Sequence, residues 1–99
     1  MQAIEPPDIH YLSAAVGWLE LGNSSEAKAE LAQVRPELQE HPDVLEVRWL
    51  ICAEQKRWDE GLNAAQALVR IAPNRASAWL HRAYSLRRVA DGGLQSAWD

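Results

Sequence analysis

Three large residues, Tyr11, Leu45 and Trp79, stand 34 positions apart in succession, and the same offset carries a wider pattern with it. It sets Ala15 against Trp49 and Ala83, Trp18 against Cys52 and Leu86, Ala27 against Gly61, and Val34 against Leu68. Small meets small at the Ala27/Gly61 column, which is what close contact between two helices requires. Such a repeat limits the folds open to the chain. A unit of this size cannot bury its apolar face alone, so successive units must stack on one another in chain order.

The units are helical. Apolar residues recur at three- and four-residue intervals almost throughout, without Val/Ile/Thr-rich alternation and without an Asn-Gly or Asp-Gly turn. Five helices and the start of a sixth are expected. The first runs from about Asp8 to Leu21, between Pro6-Pro7 and Gly22-Asn23. The second opens at Ser24 as N-cap, carries Ala27, Leu31 and Val34, and ends or kinks at Pro36. A third follows Pro42-Asp43 with Leu45, Trp49 and Cys52 on one face. A fourth opens near Trp58-Asp59, carries Leu62, Ala65, Leu68 and Val69, and ends before Pro73. Asn74 is expected to cap a fifth helix that holds Trp79, Ala83 and Leu86. Asp91-Gly92-Gly93 should break it before a short helix from Leu94 to Trp98.

With a period of about 34 residues built from two helices, the chain resembles the tetratricopeptide repeat family over nearly its whole length. The second unit carries the pattern best, with Trp58-Asp59-Glu60-Gly61 at the start of its second helix and Pro73-Asn74 at the closing turn. The first unit contributes Tyr11, Ala15, Gly22 and Ser25-Glu26-Ala27. Three positions depart from the family: Trp49 replaces a small residue, Lys56 replaces the turn glycine, and Gln39 stands where a closing proline is usual. The resemblance implies one all-α domain over 1–99, a right-handed α-α superhelix of about 2.5 helical hairpins. Its repeats would span about 8–41 and 42–75, with a partial third over about 76–99.

The resemblance also implies a function, the holding of a peptide or partner protein in a concave groove lined by the first helix of each hairpin. Carried over residue by residue, that groove takes Leu12, Val16 and Leu19, then Glu46, Val47, Leu50 and Glu54, then Leu80, His81, Tyr84, Arg87 and Arg88. Such a surface suits a peptide with an apolar anchor and an acidic end near the arginine pair. Leu12 and Val16 stand where family members that grip the acidic tails of heat-shock chaperones have lysine and asparagine, so that clamp is not implied. A second reading stays open, in which these apolar residues are core or self-association contacts. Leu94 and Trp98, at the end of an uncapped array, are then expected to mediate homo-oligomerisation.

Other chemistries find little purchase. Ten Lys and Arg against fourteen Asp and Glu give a net charge of −4, which opposes attraction to a phosphate backbone. Cys52 is the one cysteine, so no disulfide forms within the chain, and a cytoplasmic setting is expected. It occupies a core column and reads as a small buried hydrophobe. His10, His41 and His81 are too far apart in sequence for metal-ligand spacing, and Asp91-Gly92-Gly93 lacks the lysine of a phosphate loop. No enzyme, metal or cofactor is expected, and no apolar run is long enough to span a membrane.

Overall fold

The computed structural model describes residues 3–98, with side chains up to Asp91. Five α-helices follow in order: α1 (Asp8–Glu20), α2 (Ser24–Leu31), α3 (Pro42–Glu54), α4 (Trp58–Ile71) and α5 (Ala76–Trp98), with a 3-10 turn at Pro36–Leu38. Each helix packs on the next, and α3 also touches α1. The molecule is an all-α domain with sequential helix packing.

Two tight turns make the hairpins. At the first, Gly22 takes a φ of +77° and the Asn23 amide donates back to the Trp18 carbonyl at 2.8 Å. The second repeats this geometry 34 residues on: Lys56 has a φ of +57° and the Arg57 amide donates to the Cys52 carbonyl at 2.8 Å. Lysine thus holds a left-handed conformation that glycine adopts without steric cost. The caps differ from expectation at two places. Asn23, not Ser24, caps α2, its side chain accepting from the Glu26 amide at 3.1 Å. α5 begins only at Ala76, two residues after Asn74.

Gln39 ties down the end of α2. Its side-chain amide donates to the carbonyl of Leu31 (3.1 Å), which also accepts from the Val34 amide, and to that of Val34 (2.7 Å) just beyond the helix. The Asp8 carboxylate closes the same hairpin, accepting from the Arg35 amide at 3.0 Å and from Arg35 Nε at 2.6 Å. The backbone bond, aided by the guanidinium, holds the Asp8 carboxyl below its ordinary pKa. His41 caps α3, its Nδ1 accepting from the Asp43 amide.

The core runs along the helix seams. Leu12, Ala15, Ala27, Leu31, Val34 and Val44 form one cluster between α1, α2 and α3. Leu45 joins Ala67, Leu68 and Ala78, while Trp49 joins Ala64 and Ala65. Gly61 lies where α4 meets α3, and a Cβ there would stand 3.4 Å from Cys52 Cβ, at ordinary contact.

α5 departs from the sequence-based expectation. It continues through Asp91-Gly92-Gly93 to Trp98 without a break, and its inward positions are Ala78 and Ser85. Trp79, Ala83 and Leu86, expected in the core from the repeat, are exposed. The physical reason is that α5 does not turn back on itself, so among the described residues no further helix covers that side.

Candidate functional site

α3 and α5 lie on either side of a face that their side chains knit together. Glu46 on α3 is the first node: its carboxylate accepts from Ser77 Oγ and pairs with His81 Nε2, both on α5. Arg75 approaches the same carboxylate at 3.6 Å and Asp43 at 3.0 Å. One turn along, Trp49 Nε1 donates to Ser85 Oγ at 2.7 Å, and the His81 ring stacks on the indole with centroids 3.9 Å apart. Tyr84 meets the Trp49 ring edge-on at 6.0 Å.

The far end of the face is aromatic and cationic. Tyr84 lies 5.4 Å from the Trp58 ring, and the Arg88 guanidinium sits 4.9 Å above Tyr84 and 5.5 Å from Trp58, donating to the tyrosine hydroxyl at 2.6 Å. Together with Leu50, Ala53, Glu54 and Lys56 these residues line an open recess of about 520 Å³. Leu50 is 43% exposed and Tyr84 44%, so apolar surface is presented there to solvent. Neither Arg88 nor Lys56 has a carboxylate at ion-pair distance among the described residues.

The residues named for the groove fall into three groups. Leu50, Glu54, Leu80, Tyr84, Arg87 and Arg88 are exposed on α3 and α5, and Val16 is exposed on α1. Leu19, Glu46 and His81 are half-buried, Glu46 and His81 being paired with each other and His81 stacked on Trp49. Leu12 and Val47 are buried in the α1–α3 core and present almost no surface; the groove assignment of these two is corrected by their packing. Leu94 and Trp98 lie outside the residues whose side chains are described.

Trp49, Trp58, Lys56 and Ser85 were missed as parts of this face. Trp49 carried a signal, since it fills a column held by alanine in the other two units and its excess volume has to reach a neighbouring helix. Ser85 carried another, as a polar residue seven positions after Ala78 on the inward side of α5.

A second recess, of about 430 Å³, opens between α2 and α4. Its floor includes Leu31, Ile51, Ala64 and Cys52, and burial raises the pKa of the cysteine thiol, the opposite of what a nucleophile needs. Ser77 Oγ donates to the Glu46 carboxylate, whose other oxygen pairs with His81 Nε2, so the carboxylate ties both α5 side chains to α3. Among the described residues no three His, Cys, Asp or Glu side chains converge on a metal position, and no helix is long and apolar enough to cross a membrane. No family model matches the chain, and neither does any curated protein or solved structure.

Proposed function

We propose that this chain is a tetratricopeptide-like array of helical hairpins, curved into a right-handed superhelix, that acts without catalysis by holding a peptide or partner protein against α3 and α5. The observation that carries this reading is the open recess of Leu50, Trp58, Tyr84 and Arg88, where exposed apolar and aromatic surface adjoins two cations that make no ion pair among the described residues, Glu54 on the same rim included. A bulky apolar side chain would pack on Leu50 and Trp58 while a neighbouring carboxylate meets Arg88 and Lys56. The 34-residue register and the two matching hairpin turns support the repeat architecture, since Gly22 and Lys56 adopt one backbone geometry at equivalent positions.

The test is a pulldown from native lysate with wild-type protein beside Leu50→Asp, after circular dichroism has matched their helicity. A partner kept by the wild type and lost by the variant supports the groove. Identical captures by both proteins, or recovery of the chain alone, would refute it.

A further inference from the structure

The repeat register compares one helix face three times within the same chain. On α1 the face of Tyr11, Ala15 and Trp18 packs into the core beside α2; on α3 the face of Leu45, Trp49 and Cys52 is buried with α4 beside it. The same face of α5 holds Trp79, Ala83 and Leu86, and there Trp79 is 49% and Leu86 40% exposed. The row is longer than three residues. Ala76, Trp79, Ala83, Leu86 and Ala90 follow one another at intervals of three, four, three and four residues, the spacing of a helix–helix seam. Small and large residues alternate along it, a surface shaped to interlock with another helix.

Its flanks state what kind of helix. From Arg75 to Ala90 the chain has four arginines and no acidic residue. Arg82 stands one position before Ala83 and Arg87 one after Leu86, so the two border the row on opposite sides. Neither has a carboxylate at ion-pair distance among the described residues. A second copy of α5 laid along this seam would set arginine against arginine, and α2 and α4 already spend their apolar sides on α1 and α3.

From these observations we infer that the Trp79–Ala83–Leu86 face of α5 is a docking surface for an acidic amphipathic helix of another polypeptide. The helix lies alongside α5 as α4 lies alongside α3. It carries small residues opposite Trp79 and Leu86, as Ala64 and Ala65 accompany Trp49, and Asp or Glu on both borders of its apolar row to meet Arg82 and Arg87. This surface is separate from the α3–α5 recess, so it stands whether or not that recess binds a peptide.

The probe is a 14-residue peptide with the sequence of α4, Trp58–Ile71, carrying Val69→Glu, which with the native Glu60 sets one acid on each border of its Gly61–Ala65–Leu68 row. Its control has lysine at positions 60 and 69. Titration into the full chain, followed by amide NMR, should shift Trp79, Ala83 and Leu86 with the acidic peptide. Leu86→Glu should weaken that binding about tenfold or more, a loss of about 1.4 kcal/mol. Arg82→Glu with Arg87→Glu should reverse the preference toward the lysine peptide. Leu86 and Arg87 are exposed and Arg82 is half-buried, and Ala83→Glu replaces any variant that loses helicity by circular dichroism. The proposal is overturned if α5 shows no shifts up to about 1 mM peptide, or if the shifts fall on Leu50 and Tyr84 instead. A mass for the protein alone that rises with concentration, and stays monomeric in Leu86→Glu, would assign the face to a second copy and equally overturn it.

Discussion

The hydrogen bond from Trp49 to Ser85 is the point at which α3 and α5 are most directly joined, and its removal has a calculable cost. Ser85 is fully buried and Trp49 nearly so, and the donor–acceptor distance is 2.7 Å. Ser85→Ala leaves the indole N–H without a partner in a place water does not reach, a penalty of about 1–3 kcal/mol. Alanine is the better helix former, which returns roughly 0.5 kcal/mol. The expected net loss is about 1.5 kcal/mol, read as a lower urea midpoint at unchanged slope and, for a domain of this size, as a fall in Tm of roughly 6–12 °C. Trp49→Phe removes the donor along with part of the His81 stack, so it is destabilising by itself. In its background Ser85→Ala should lose most of its effect, giving a coupling of about 1 kcal/mol in the double-mutant cycle. Stability of Ser85→Ala within about 0.3 kcal/mol of wild type, or strict additivity of the two changes, would refute the account of how α3 and α5 are held.

The two hairpin turns predict opposite outcomes: Lys56→Gly relieves a left-handed lysine and should stabilise by about 1 kcal/mol, whereas Gly22→Ala should destabilise by about as much in the same denaturant titration. Gly61→Ala should stabilise by roughly 0.5–1 kcal/mol, because a Cβ there meets Cys52, Trp49 and Ser85 at 3.4–3.7 Å, ordinary contact, inside a helix; a loss of stability would show that α3 and α4 pack more tightly than these distances. Asp8 binds its proton more weakly folded than unfolded, so its contribution is present above the unfolded value of 3.8 and is lost as pH falls through the lower folded value. Stability measured by urea from neutral pH down through pH 3 should therefore fall less steeply in Asp8→Asn than in wild type, and an unchanged slope would remove the role given to the Arg35 pair.

Helix existence and order were legible in the sequence because they rest on local rules. Apolar spacing, Pro42 and Pro73, and the glycine at 22 placed four helices close to where they lie. The burial of Ala27, Val34 and Leu68 followed from the 34-residue offset, and that of Leu31 and Leu45 from the apolar stripes of their own helices. Cap identity was less legible: Asn23 and Ser24 are both good caps, and their competition is settled by which side chain can reach the Glu26 amide. Of the site, the exposed positions of α3 and α5 were found, Tyr84 among them, while Trp49 and Trp58 were not.

What the chain's own pattern determined, then, was the helices in their order, the two hairpin turns and the residues that seal α1 to α2 and α3 to α4, all of which depend on contacts between near neighbours. Only the tertiary structure decided which faces stay open. Leu12 and Val47 left the groove for the core because α1 and α3 press together there. Trp49 became a bridge because α5 sets Ser85 and His81 against its ring. Trp79 and Leu86 sit in a core column by pattern yet face solvent, because burial requires a second helix, and α5 runs on through Gly92-Gly93 without supplying one.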